Sequence, residues 1–162
     1  MLSLSAHKFH GPKGVGAAYL RSDEYGLPPI TALLHGGEQE SGIRAGTLAV
    51  HNIVGFGKAA ELALARQDTR LERLSQLDAA ARALFAGDPR LELLGDGSAH
   101  IPGLLSVIVH SSTFDNERFI QKTSGQYAFS SGSACTAGEP SHVLQAIGRS
   151  GETSRVLRIS LS

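Results

Sequence analysis

Lys8 stands between His7 and His10, with Ser3 and Ser5 just before it. A primary amine among imidazoles and hydroxyls suits covalent chemistry through its nitrogen. An isolated loop lysine is ordinarily only solvated, so the rest of the chain has to decide between the two. Cys135 is the only thiol, set in Ser130-Ser-Gly-Ser-Ala-Cys-Thr-Ala-Gly138. A single cysteine is more often a small buried hydrophobe than a nucleophile. Its small, hydroxylated neighbours predict an exposed loop, where the thiolate would be the reactive form. Arg158 lies among Val156, Leu157, Ile159 and Leu161. A buried arginine in such a run needs an anion, either an acid of the protein or a substrate carboxylate gripped by the guanidinium fork.

Other chemistries find less support. The seven histidines include no H-E-x-x-H, and one cysteine precludes C-x-x-C, so no metal site is expected. Gly37 to Gly42 has the spacing of a phosphate loop, but Ile43 stands where that motif needs lysine. Gly11, Gly14 and Gly16 are in the wrong order for a dinucleotide fingerprint, and the run after them reads as strand.

The elements that must position these residues follow from local pattern. Leu2 to Leu20 reads as strand, loop, strand, with Lys8 where the first strand ends and the turn made by Gly11, Pro12 and Gly14. Asp23 to Pro29 is a turn, and the middle of Leu33–Leu48 is a long glycine-rich polar loop of the kind that usually serves a function. Thr47 is placed to cap a helix running to about Leu64, with Phe56, Ala60, Ala63 and Leu64 on one side. Gly55 and Gly57 weaken its first part. A second helix carries Leu71, Leu74, Leu77, Ala81, Leu84 and Phe85 inward, and Arg70, Glu72, Arg73 and Arg82 as solvated surface. Strands are expected at 91–94, 104–110, 127–130 and 156–161, and helices at 114–123 and 140–148. Alternating strands and helices give an α/β or α+β chain.

The 162 residues suffice for one domain or parts of two. Fifteen basic and fifteen acidic residues balance, with no charge run, so neither nucleic acid nor a membrane surface is indicated as a partner. One cysteine allows no internal disulfide, and no signal peptide is apparent, which together favour the cytoplasm.

Four stretches occur in order: Ser5-Ala-His-Lys-Phe-His-Gly-Pro-Lys-Gly-Val-Gly16, Gly36-Gly-Glu-Gln-Glu-Ser-Gly-Ile-Arg-Ala-Gly-Thr-Leu48, Ser131-Gly-Ser-Ala-Cys-Thr136 and Glu139-Pro-Ser-His-Val-Leu144. Together they resemble the NifS/IscS-like cysteine desulfurases of the class V aminotransferase group, which use pyridoxal 5'-phosphate. The resemblance covers nearly the whole chain. It implies that Lys8 is the Schiff-base lysine and that Ser5 and His7 bind the cofactor phosphate. It implies that Thr47 reaches the phosphate in a neighbouring subunit, hence a homodimer. By the same resemblance Cys135 takes sulfur from L-cysteine as a persulfide, leaving alanine, and Arg158 binds the substrate carboxylate. Sulfur would then pass to an acceptor or scaffold protein for iron–sulfur cluster or thiocofactor assembly, with Cys135 a transient iron–sulfur ligand.

In that family the lysine motif falls about midway along the chain, and the preceding half supplies the phosphate loop, the ring-stacking residue and the acid facing the pyridinium nitrogen. The expectation is therefore the C-terminal part of a PLP-dependent transferase of fold type I. Residues 1–66 would be the end of the large-domain sheet with a connecting helix, and 67–162 the small α+β domain, cut short at its end. The missing N-terminal half would act in trans. The alternatives are a related lyase for selenocysteine or a cysteine derivative, and a non-catalytic piece that binds an acceptor or partner chain.

Overall fold

A computed structural model describes residues 1–95, 97, 99–131 and 141–162. The chain divides into two compact units, Met1–Gln67 and Asp68–Ser162.

In the first unit, strand β1 (Leu2–Ser5) pairs antiparallel with β2 (Gly16–Tyr19), Leu2 opposite Tyr19 and Ser5 opposite Gly16. The ladder gains one step beyond the strands, because the Ala6 amide donates to the Val15 carbonyl at 3.1 Å. The apolar alternation of β1 predicts one covered face. Instead Leu2, Leu4 and Tyr19 all stay exposed, since this sheet has two strands only.

Helix α1 spans Val50–Ala65. Thr47 does not cap it. The helix begins after Ala49, whose carbonyl accepts from the Asn52 and Ile53 amides at 3.0 and 3.1 Å. Thr47 lies two residues upstream of that cap and out of capping position. The inward line is Asn52, Gly55, Phe56, Ala59, Ala60 and Ala63. Leu64, expected on that line, is 72% exposed. Eight residues past Phe56 falls about 80° round a 3.6-residue helix, whereas the seven to Ala63 fall almost in register.

The two glycines of α1 have different jobs. A Cβ on Gly55 would stand 2.6 Å from Pro12 Cγ, while one on Gly57 would meet nothing within 4 Å. Gly57→Ala is therefore expected to stabilise the unit by about 0.5–1 kcal/mol through helix propensity. Gly55→Ala gains the same propensity but overpacks against a rigid ring, which costs about 1–3 kcal/mol. Thermal unfolding midpoints should move in opposite directions; two equal upward shifts would refute the Gly55–Pro12 contact.

The second unit opens within α2 (Gln67–Ala86), from its second residue on. Its covered line is Leu74, Asp78, Ala81, Arg82 and Phe85, whereas Leu71, Leu77 and Leu84 are exposed. Steps of three residues drift about 60° each on an α-helix, so an every-third leucine pattern leaves the inner face. Arg82 is not the solvated surface residue expected from sequence. Its Nε donates to Asp78 Oδ2 at 2.7 Å. Asp78 is 4% exposed and also accepts from the Gly103 amide at 2.9 Å, with His100 Nε2 at 3.0 Å. Burial pushes the Asp78 carboxyl up, but the Gly103 amide, Arg82 and His100 outweigh it and hold it at about 2, below the ordinary 3.8.

An antiparallel sheet follows in the order β3 (Leu91–Leu93), β4 (Leu104–Val109), β5 (Val156–Ser160). Central β4 buries Leu105, Val107 and Ile108. Ile108 packs with Val156 of β5, with Leu94, and with Leu144 of helix α4 (His142–Ala146). Helix α3 (Asn116–Thr123) is capped by Asp115, whose carboxylate accepts from the Arg118 amide at 2.8 Å. Buried Asn116 donates its side-chain amide to the Thr153 and Val156 carbonyls, each at 2.8 Å, joining α3 to the start of β5. The strand expected at 127–130 reduces to one bridge, Ser130 to Arg158. The residues before it stack instead: Phe129 lies 5.7 Å from Phe119 and 5.4 Å from Tyr127, ring to ring. Among the described residues no helix is long and apolar enough to cross a membrane.

Candidate functional site

Lys8 sits in a 3-10 turn, Ala6–Phe9, directly after β1. Side chains three apart eclipse in such a turn. Ala6 and Phe9 are that pair. Ala6 is fully buried, and the Phe9 ring lies 5.5 Å from Phe56 of α1. The intervening His7 and Lys8 are consequently left exposed. The Gly11 amide closes the turn on the Ala6 carbonyl at 2.9 Å, and His10 takes a left-handed φ of 70° to allow it. A Cβ on Gly11 would come within 2.9 Å of Ala6 Cβ and 3.2 Å of Ala59 Cβ, so the turn rests closely on α1.

Thr47 ends a second shaped segment of the same unit. Glu40 and Ser41 hold left-handed φ of 52° and 56°, costly for residues with a Cβ. Among the described residues, these two and His10 are the only non-glycine left-handed positions; His10 lies two residues past Lys8, and the pair lies seven and six residues before Thr47. Gly46 is braced from both sides: its amide donates to Gln39 Oε1 at 3.0 Å, and its carbonyl accepts from an Arg44 terminal nitrogen at 3.1 Å. The brace fixes the backbone just before Thr47, whose side chain is exposed. Ser5, His7 and Lys8 are brought together on one turn; no hydrogen bond links Thr47 to them.

In the second unit Arg158 is half-buried on β5, opposite Ser106 of β4. Among the described residues no carboxylate pairs with it. Its partner is Ser130: Arg158 Nε donates to Ser130 Oγ at 3.0 Å, and the two backbones exchange bonds of 2.7 and 3.2 Å. Ser130 did not stand out in the sequence, because nothing local announces a partner 28 residues away. Nor did Glu92, which accepts from an Arg149 terminal nitrogen at 2.5 Å and meets His110 Nε2 at 2.9 Å. Cys135 lies outside the described residues. Among the described residues no three His, Cys, Asp or Glu side chains gather as a metal site would require.

The donor set of the turn matches a phosphorylated aldehyde cofactor: a hydroxyl and an imidazole for an anion, and a primary amine for a carbonyl carbon. All three side chains are exposed, and none has a hydrogen-bond partner among the described residues.

Comparison with known proteins points the same way. The family model for aminotransferase class-V matches residues 1–162. The chain is 40% identical over 154 residues to the cysteine desulfurase IscS of Ruthia magnifica subsp. Calyptogena magnifica, covering 94% of this chain and 37% of that protein. It is 43% identical over 152 residues to a cysteine desulfurase of Sinorhizobium fredii (strain NBRC 101917 / NGR234), covering 91% and 38%. Among solved structures it resembles a NifS-like protein with a TM-score of 0.77 at 32% identity, covering 98% of this chain and 40% of that one. It also resembles SspA, solved in complex with cysteine, with a TM-score of 0.61 at 34% identity, covering 98% and 43%. The chain thus spans less than half the length of these relatives.

Proposed function

The chain belongs to the aminotransferase class-V family, with cysteine desulfurases as homologues, and from that premise we propose that it carries the reactive groups of a pyridoxal-phosphate-dependent cysteine desulfurase. The observation that supports this best is the exposed Ser5, His7 and Lys8 on a turn pinned by Ala6 and Phe9. Ser5 and His7 would hold the cofactor phosphate, and Lys8 the aldehyde carbon. Thr47 would serve the phosphate in a second copy, making the working protein a homodimer. When bound, the cofactor supplies an electron sink for the amino acid's carbon skeleton.

The chain's own residues have separate tasks. Lys8 moves protons at its amine nitrogen. Arg158 holds the substrate carboxylate with charge-assisted hydrogen bonds. Cys135 accepts the sulfur: a bond forms between its Sγ and the substrate sulfur, the substrate carbon–sulfur bond breaks with its electron pair left on carbon, and that carbon takes up a proton, matching the one the Cys135 thiol gives up, to make alanine. The sum is L-cysteine plus thiol giving L-alanine plus persulfide, balanced without an external oxidant. The persulfide would then pass to an acceptor or scaffold protein for iron–sulfur or thiocofactor assembly.

The test is to incubate the chain with pyridoxal phosphate and L-cysteine. It is run alone and mixed with the portion of the Ruthia relative that this chain does not match. Alanine should form, with a mass gain of one sulfur atom on Cys135 that Cys135→Ser loses. Neither alanine nor the mass gain in the mixture would sink the reading. Turnover of selenocysteine but not cysteine would redirect it to a selenium substrate.

A further inference from the structure

We propose that Ser130 is a positioning residue that fixes the Arg158 guanidinium so that its two terminal nitrogens meet the substrate carboxylate end-on. This rests on the reading that Arg158 binds that carboxylate.

A guanidinium carries five N–H donors, one of them on Nε. It can grip a carboxylate with both terminal nitrogens, or side-on with Nε and one terminal nitrogen. The 3.0 Å bond from Nε to Ser130 Oγ occupies the Nε donor. The side-on grip is thereby lost, and the end-on fork with its four remaining N–H groups stays available. The hydroxyl is itself fixed in place. Arg158 N donates to Ser130 O at 2.7 Å, and Ser130 N to Arg158 O at 3.2 Å. Anchor and side chain therefore share one rigid backbone bridge.

The partner's neutrality matters as much as its position. In the same unit Arg82, Arg90, Arg149 and Arg155 each pair with an aspartate or glutamate. Arg158 is half-buried, yet among the described residues it has a hydroxyl where those four have a charge. A hydroxyl orients the guanidinium without neutralising it, so the attraction for an incoming anion is kept. Pre-orientation also lowers the side-chain ordering that binding would otherwise require.

The proposal is tested by NMR on the nitrogen-15-labelled chain mixed with the unlabelled portion of the Ruthia relative that it does not match, with pyridoxal phosphate. The probes are L-alanine, which carries the carboxylate, and L-alaninol, which lacks it. In the wild type the Arg158 Hε proton should exchange with water more slowly than that of exposed Arg70, and its signal should move with L-alanine and not with L-alaninol. Ser130→Ala should speed that exchange and weaken L-alanine binding by about 5–10-fold, the worth of one hydrogen bond. L-Alaninol binding should be unchanged, and Ser130→Thr should restore both readouts. Wild-type Hε exchange as fast as that of Arg70 overturns the proposal, and needs no variant to fold. So does a Ser130→Ala chain with wild-type affinity while Arg158→Ala has lost the preference for L-alanine. If Arg158→Ala keeps that preference, or the wild type ignores L-alanine, the carboxylate reading itself falls, and this one with it.

Discussion

Lys8→Ala is expected to leave a protein that no longer retains pyridoxal phosphate through gel filtration and no longer makes alanine from cysteine. The amine is exposed on its turn and has no hydrogen-bond partner among the described residues. The turn itself is held by Ala6, Phe9 and the Gly11 amide. Removing the side chain should therefore spare the fold and strike the chemistry alone. Lost proton transfer lowers turnover by about 10²–10⁴-fold, and loss of the covalent attachment point lowers it further. Lys8→Arg keeps a positive charge beside Ser5 and His7, the proposed phosphate ligands, but has no nucleophilic amine, so it should fail similarly. Visible absorbance of protein-bound cofactor, read beside alanine formation, checks both variants. A Lys8→Ala protein that keeps the absorbance and the turnover would remove Lys8 from the site.

The second large effect lies in stability. Asp78→Ala should cost the second unit about 3–5 kcal/mol, the usual penalty for breaking a buried ion pair from one side. Arg82 and His100 would each lose this carboxylate as a partner, and the Gly103 amide would lose its acceptor. Asp78→Asn keeps an oxygen for Gly103 and should cost less. Acid should reproduce part of this. The folded-state carboxyl titrates at about 2, below the ordinary 3.8. The unfolded chain therefore binds the proton first as pH falls. The group's contribution is fully present above its unfolded value and drains away toward the folded one. Urea unfolding followed from neutral pH down to about pH 2 should show the wild type losing stability through that window, and Asp78→Asn losing less. Parallel curves for the two proteins would contradict the carboxylate's role.

What the sequence revealed and what it hid divide by distance along the chain. The strand–turn–strand around Lys8 was legible because alternation and a Gly/Pro turn are local signals. So was the helix expected at 114–123, found at Asn116–Thr123, and so was the arginine set oddly in an apolar strand. The tie between Ser130 and Arg158 was not legible, since it exists only once β5 and a segment 28 residues away share a register. Asp78 drew no notice in the sequence, and Arg82 was read as solvated surface, for a related reason. On a helix carrying charges around it, one more acid reads as surface, and only the Gly103 amide, 25 residues away, explains its burial. The spacing to Arg82 was a visible hint, an acid four residues before a base. Thr47 shows a local rule overruled: its residue type suits a cap, but the helix starts two residues later.

The amide of Asn116 bears on how the protein ages. Both of its bonds to the start of β5 need N–H donors. Slow hydrolysis of that side chain would replace the nitrogen with a second oxygen, and a carboxylate accepts but does not donate. Two carbonyl oxygens would then face an acid in a site 3% exposed to water. Peptide mapping of stored samples, set beside their unfolding midpoints, reads the damage. A single chemical lesion of one dalton would thus loosen the strand that carries Arg158, and shelf life would be set by a residue with no part in the proposed chemistry.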